Sequence, residues 1–271
     1  MPAFAISPTK YRYAMLDKYP RLKFFLKKTL LPVYLRVRSV KYAGNKVYCP
    51  CCGGHFSRFL EVGPKREPML CPRCRSNDRD RYFWLYLEKN PDFFRPGIRL
   101  LHIGPETIYY NRFRKIPGID YVPGDKFILQ FGSTYPPETV YVDITDMPQF
   151  PDNHFDFIFC SHVLEYIPDD RKALREQYRV MKPGAKAIIS VPIKHGSPVT
   201  LEDPSITDPD EQARVYGDTG HIRYYGEDYA EKLRSIGLRP VFTPVTDFIP
   251  DELIKQCVIN PNDAIQLSFK D

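Results

Sequence analysis

Two pairs of cysteines carry the most specific chemistry in this chain. Cys49-Pro-Cys-Cys52 and Cys71-Pro-Arg-Cys74 share a C-x2-C spacing and are separated by eighteen residues. Four thiolates so spaced can close a tetrahedron around zinc. Cys-Pro opens each pair, and Gly53-Gly54 gives the first the φ freedom that a tight turn needs. Disulfides are the other reading; nothing ahead of the motif resembles a secretory signal, and cytosolic thiols stay reduced. The expected ligands are Cys49, Cys52, Cys71 and Cys74, with Cys51 a bystander and His55 a surface residue. Cys160 and Cys257 read as buried small apolar residues. A four-cysteine site has no open coordination position, so its zinc would be structural. It would hold a segment, residues 47–76, too short to build its own core.

The charge is unevenly placed. Residues 1–42 hold ten Lys/Arg against Asp17 alone, a net +9, which leaves −3 for the rest of a 271-residue chain of net +6. Bulk charge therefore excludes the main body as a basic nucleic-acid binder. No run of eighteen apolar residues is present, so no membrane span is expected. After Pro20, the residues Leu22, Phe25, Leu26, Thr29 and Leu30 fall at helical spacing, with Arg21, Lys23, Lys27 and Lys28 between them. This predicts an amphipathic basic helix that ends or kinks at Pro32. It could dock on its own domain, lie on an anionic membrane surface, or contact RNA. The expected location is cytoplasmic, peripheral at a membrane if the arm binds there.

Three units are expected: a basic arm (1–42), a zinc ribbon with a linker helix (43–91) and a main domain (92–271). The linker helix, Asp78–Asn90, has an aromatic face that includes Trp84. Beyond it, strands alternate with helices. Strands are expected at Ile98–Ile103, Ile119–Gly124, Thr139–Val142, Phe155–Cys160, Ala185–Val191, Leu238–Thr243 and Ala264–Phe269. Helices are expected at Glu106–Lys115, Asp169–Lys182 (stopped by Pro183-Gly184) and Glu227–Ser235, with a loop containing Gly132 between the second and third strands. The alternation predicts an α/β, mostly parallel, doubly wound sheet. The long polar segment 192–226 reads as a lid or a solvated loop.

Four stretches in order then point to a family. Phe155-Asp-Phe-Ile-Phe-Cys-Ser-His-Val-Leu-Glu-Tyr-Ile167 resembles the fourth-strand motif of class I S-adenosylmethionine-dependent methyltransferases. Asp143-Ile-Thr-Asp-Met-Pro148 resembles their adenine-binding segment, Arg179-Val-Met-Lys-Pro-Gly-Ala185 the turn before their fifth strand, and His221-Ile-Arg-Tyr-Tyr-Gly-Glu227 a stretch before their last crossover helix. The resemblance spans about residues 98–270, and the chain looks closest to a bacterial subgroup with an N-terminal zinc ribbon. It implies a Rossmann-like seven-stranded sheet of order 3-2-1-4-5-7-6, and S-adenosylmethionine as cofactor beside the structural zinc.

The resemblance also implies roles. Gly104 and Glu106 would face the cofactor's methionine part, Asp125 the ribose hydroxyls, Asp143 the adenine amino group, Ile144 the adenine ring, and Ser161 the methyl side. His102-Ile-Gly-Pro-Glu106 departs from the family pattern by having one glycine, and Pro105 has no N–H to offer. His162 is the candidate base, Glu165 would orient it or the acceptor, and His221, with Arg223 and Tyr225, would close over the acceptor. The expected reaction is methyl transfer to an oxygen or nitrogen of a small-molecule, glycan or lipid-precursor acceptor. An RNA methyltransferase and a non-catalytic binding module are the alternatives.

Overall fold

The computed structural model describes residues 20–62, 67–127 and 135–271, and side chains within 30–62, 68–127 and 135–271. Helix α1 (Pro20–Lys41) continues through Pro32. Of the expected end or kink at Pro32, the end is absent, because a proline's φ is itself helical and its ring forfeits one backbone bond without forbidding the next turn. The earlier apolar positions Leu22, Phe25, Leu26 and Thr29 lie outside the described side chains. From Leu30 onward the helix turns an apolar face outward: Leu30, Val33, Tyr34, Val37 and Val40 are all exposed. Ser39, on the opposite side, is buried, and Arg38, whose guanidinium lies over the Tyr34 ring at 5.2 Å, donates from Nε to the Pro72 carbonyl at 2.8 Å.

The ribbon consists of two small antiparallel pairs, β1 (Ala43–Cys49) with β2 (Gly54–Phe56) and β3 (Leu60–Val62) with β4 (Glu67–Leu70). Helix α2 (Asp78–Lys89) follows, started by a reciprocal cap in which Asn77 and Asp80 each accept the other's backbone N–H. Its aromatic face is the joint between ribbon and main domain. Phe83 meets Phe159 edge-on at 5.7 Å, and one continuous core holds Phe56 and Phe59 of the ribbon with Phe157, Phe159 and Ile188 of the sheet. Arg81, wholly buried, donates to the carbonyls of Met69, Ser76 and Val258, tying ribbon, helix and C-terminal region together. Packing therefore runs straight across the boundary drawn near residue 92.

The main sheet alternates as the sequence suggests: β5 (Arg99–Ile103), α3 (Thr107–Phe113), β6 (Asp120–Asp125), β7 (Val140–Tyr141), β8 (Phe155–Ser161), α4 (Asp170–Val180) and β9 (Met181–Ser190). A small pair follows, β10 (Leu201–Glu202) and β11 (Arg223–Tyr224), flanking α5 (Pro209–Tyr216). Then come α6 (Tyr229–Arg234), β12 (Leu238–Pro244), α7 (Val245–Phe248), α8 (Asp251–Cys257) and β13 (Ala264–Lys270). The strand order is β12-β13-β9-β8-β5-β6-β7, with β13 antiparallel to both neighbours. Counted along the main sheet alone, this is 3-2-1-4-5-7-6. The fold is the Rossmann-like methyltransferase sheet.

Two local expectations are corrected. Helix α4 stops at Val180, and β9 begins at Met181 and passes through Pro183-Gly184. Those two residues sit where the β8–β9 register shifts, between the Phe155 and Phe157 pairings, so the missing N–H of Pro183 and the φ of +76° at Gly184 fall in an irregularity. The segment 192–226 is ordered rather than a bare loop, anchored by β11 and by α5. The loop position Gly132 lies outside the described residues.

Candidate functional site

Each cysteine pair is a turn closed by its own backbone: Cys52 N–H donates to Cys49 O, and Arg75 N–H to Cys71 O. The residue after each pair takes the left-handed region, Gly53 at φ +65° and Arg75 at φ +66°. The second knuckle thus reproduces the first without a glycine. The Sγ atoms of Cys49, Cys52, Cys71 and Cys74 all lie within 4.8 Å of one another. Cys49 to Cys74 is 3.6 Å and Cys52 to Cys71 is 3.7 Å. A zinc about 2.3 Å from four sulfurs would set them about 3.8 Å apart, so the cluster fits that ion. A disulfide requires about 2.05 Å, and all seven cysteines are free. The Ser76 hydroxyl lies 3.0 Å from Cys49 Sγ. Cys51 turns away, its thiol 3.3 Å from the Asp80 carbonyl, and His55 is exposed against Tyr48.

The other implied positions gather at the carboxyl ends of β5, β6 and β8, where ligands bind in open α/β sheets. Gly104 leaves β5 at φ +64°, and a Cβ there would lie 3.1 Å from Val163 Cγ2 and 4.0 Å from Asp125 Oδ2. The missing side chain leaves a hollow between the β5 turn and the Asp125 carboxylate. Asp125 Oδ1 accepts Phe127 N–H at 2.7 Å. Ser161 is buried, and its hydroxyl has no protein partner. A bare glycine turn, a strand-end carboxylate and an unpaired hydroxyl together suit a cofactor bearing ribose hydroxyls and an amino-acid end.

Three implied contacts look different in three dimensions. Glu106 reaches back to His102 at 2.8 Å, and His102 in turn meets Tyr121 Oη at 2.9 Å. Asp143 is already partnered by Lys126 at 2.6 Å and by the Thr145 N–H and hydroxyl. Burial alone would raise its carboxyl, but these partners hold it below its ordinary value. Ile144 is buried with Leu101 and Val142 rather than lying open to an adenine ring. The tight Asp143–Asp146 turn rotates it inward.

The three candidate catalytic side chains form one cluster. His162 follows β8 at φ +54°, with its N–H bonded to Ser190 O at 2.8 Å. Its Nδ1 lies 3.1 Å from Glu165 Oε1, and His221 Nε2 lies 3.8 Å from the same oxygen. Glu165 is wholly buried. Burial and the neighbouring Arg79 charge hold His162 below its ordinary imidazole value, against the pull of Glu165. His162 also lines a cavity of about 640 Å³ walled by α2, the end of β9, β11 and the start of β13. His221 does not line it. Its Nδ1 faces the Tyr216 carbonyl at 3.2 Å, so it backs Glu165 instead of covering an acceptor. Arg223 is likewise structural: fully buried, it donates to the carbonyls of Leu164, Ile167 and Pro168 and pairs with Glu202. Tyr225 is buried with its hydroxyl on Asp170. The sequence missed Arg79, which lines the cavity from α2, because a charged residue early in a linker helix carries no motif.

The comparison with known families bears on this geometry directly. Residues 106–189 match the family described as a methyltransferase domain. That stretch runs from the β5 turn through α4 to the end of β9, and so includes Asp125, Asp143 and the His162–Glu165 pair. Among curated proteins, the ubiquinone/menaquinone biosynthesis C-methyltransferase of Pectobacterium atrosepticum is 35% identical over 85 residues, covering 29% of this chain and 33% of that protein. Phosphoethanolamine N-methyltransferase 2 of Caenorhabditis elegans is 39% identical over 54 residues, 19% of this chain and 12% of that protein. The chain thus spans a third or less of the length of these two relatives. A solved S-adenosylmethionine-dependent methyltransferase from Mesorhizobium loti is 14% identical with a TM-score of 0.45, covering 69% of this chain and 97% of that one. Another from Archaeoglobus fulgidus is 17% identical with a TM-score of 0.44, covering 72% and 93%. The match to the methyltransferase-domain family thus falls on β6, β7, β8 and β9, the strands that carry most of the candidate site.

Proposed function

We propose that this protein is an S-adenosylmethionine-dependent methyltransferase that modifies an oxygen or nitrogen of a small polar acceptor, with a structural zinc in its ribbon. The observation that carries the reading is the coincidence of two features at one sheet edge. The Gly104–Asp125 hollow lies at the carboxyl ends of β5 and β6, and the His162 cavity beside the carboxyl ends of the neighbouring β8 and β9, an arrangement in which a donor and an acceptor could be brought together.

Bound in the hollow, the cofactor would supply an electrophilic methyl group on a sulfonium. Asp125 offers a carboxylate to the ribose hydroxyls, and Ser161 a free hydroxyl at the end of β8. The Glu165 carboxylate, 3.1 Å from Nδ1 though without an aligned hydrogen bond, favours a proton there, and Nε2 would then be the acceptor nitrogen of the ring. That nitrogen can take the proton from a hydroxyl as it attacks, or from an ammonium group before the freed amine attacks, and S-adenosylhomocysteine would leave as the methyl–sulfur bond breaks. The cavity mixes Arg79, Asp263, Glu227 and His195 with Tyr224 and Phe242, a lining suited to a small molecule or glycan with several polar groups. Met69, Val191 and Ile193 add apolar wall, which would take an apolar part of the same acceptor.

The test is calorimetry with S-adenosylhomocysteine on the full chain, followed by methyl-transfer assays against panels of hydroxylated and amino acceptors. Micromolar binding and turnover on a polar acceptor support the reading. Absence of cofactor-product binding removes it and favours a non-catalytic module. Turnover on RNA alone would replace the acceptor class.

A further inference from the structure

The cavity beside His162 contains one cation with nothing to bind. Among the described residues, Arg79 makes no hydrogen bond and no ion pair, and its Nε is buried without a partner. Arg81, two residues on, shows the contrast: its Nε is unpaired as well, but its two terminal nitrogens donate to three carbonyls. An unsatisfied guanidinium in a recess costs free energy unless something arrives to pair with it. The nearby charges offer no substitute. Asp80 is buried at the Asn77 cap and pushed up to about 6, chiefly by burial. Asp263, also on the cavity wall, is pushed up to about 6 by burial and by Asp78. Asp80 and Glu106 act on Arg79 only across space, and neither forms a hydrogen bond or ion pair with its guanidinium.

We infer that Arg79 is a recognition residue for an oxyanion, a carboxylate or phosphate carried by a ligand in this cavity. The planar fork of arginine suits both groups bidentately. The assignment of that ligand as the methyl acceptor rests on the methyltransferase reading; the oxyanion site does not. One other source has the same chemistry, the cofactor's own α-carboxylate. The Gly104-Pro105 turn has one backbone donor fewer for it. The position also gives the zinc ribbon a task, because α2 is fixed by the ribbon's core and brings Arg79 to the sheet edge.

Wild type, Arg79→Gln and Arg79→Lys are compared by melting temperature during titration with inorganic phosphate, and by calorimetry with S-adenosylhomocysteine and with methylthioadenosine, which lacks the carboxylate. Similar melting temperatures without ligand establish that the variants fold. Phosphate should raise the melting temperature of the wild type saturably, less in Arg79→Lys, and not in Arg79→Gln. If S-adenosylhomocysteine binding is unchanged in Arg79→Gln, the oxyanion belongs to the acceptor. A loss of about 10-fold or more, with methylthioadenosine unaffected, assigns it to the cofactor. A phosphate response that is absent or survives in Arg79→Gln, together with unaltered S-adenosylhomocysteine affinity, overturns the inference. A phosphate response in a protein that binds no S-adenosylhomocysteine sinks the methyltransferase reading and leaves the oxyanion site standing.

A separate observation concerns α1. Leu30, Val33, Tyr34, Val37 and Val40 fall on one helix face and are 56–75% exposed, on the side away from the buried Ser39. The same segment, residues 1–42, carries +9 while the remainder carries −3. The geometry points to an anionic lipid surface as the occupant of this face, because an apolar stripe among cations matches the headgroup boundary. Full-length protein should co-sediment with phosphatidylglycerol vesicles more than with phosphatidylcholine vesicles, and less as salt rises. The double variant Val33→Asp/Val37→Asp should lose this by about 10-fold. Equal sedimentation of variant and wild type, or retention on single-stranded RNA with no vesicle binding, rules the surface out.

Discussion

His162 Nδ1 and Glu165 Oε1 lie 3.1 Å apart, and the carboxylate of that pair has no exposure to solvent. The short turn after β8, residues Leu164–Tyr166, makes this possible by folding the chain back three residues on. A carboxylate so close to Nδ1 favours a proton there by its charge, without an aligned hydrogen bond, and the other nitrogen would then be free to act as a base.

Removing the base should be obvious. His162→Ala should lower turnover by about 10²–10⁴-fold while S-adenosylhomocysteine affinity stays within a few-fold. Glu165→Gln should also lower turnover, since an amide no longer favours the required tautomer. Steady-state kinetics with calorimetry separates the two effects. Loss of affinity without loss of turnover would place His162 as a wall residue only. His221→Ala should act through Glu165 and so appear in turnover, not in the acceptor's apparent affinity.

The pH profile follows from the same pair. A base works in its neutral form. Burial, with Arg79 second, lowers the His162 imidazole below its ordinary value, so the neutral form persists at and below neutrality. Turnover should be flat through pH 7 and fall only on the acid side of about 6.5. Arg79→Gln removes a positive neighbour, raises the imidazole and should move that acid limb upward.

Asp125→Ala should weaken S-adenosylhomocysteine by about 10–100-fold, the value of a hydrogen bond to a charged group. Calorimetry on a folded variant checks it. Gly104→Ala should cost stability as well, because a Cβ at φ +64° meets Val163 at 3.1 Å. The expected penalty is about 1–2 kcal/mol, or a few degrees in melting temperature.

Elemental analysis should find one zinc per chain. Cys49→Ser or Cys74→Ser should lose it and lower the melting temperature of the whole molecule in one transition, since the ribbon and the sheet share a core. Cys51→Ser should keep the zinc, its thiol being turned to Asp80.

Much of this protein was legible in its sequence because the signals are local. The C-x2-C spacing needs only two tight turns, so Cys49, Cys52, Cys71 and Cys74 could be named as a cluster. The alternation of apolar runs with amphipathic segments marked the strands of the sheet to within a few residues. Short elements without periodicity, α5, α7 and α8, were not legible, since eight residues or fewer span barely two turns. Pro32 and Pro183 misled as stops because a single residue type cannot report whether its missing N–H falls at a tolerant place. What only the tertiary structure decided is which charged groups are already satisfied. Arg81, Arg223 and Arg79 look alike in sequence, yet two are consumed by carbonyls and one faces a cavity unpaired. Likewise His221 turned from the cavity to Glu165, and Ile144 went into the core. Periodicity and spacing depend on near neighbours along the chain, whereas the pairing of a buried polar group depends on what the fold brings to it from far away.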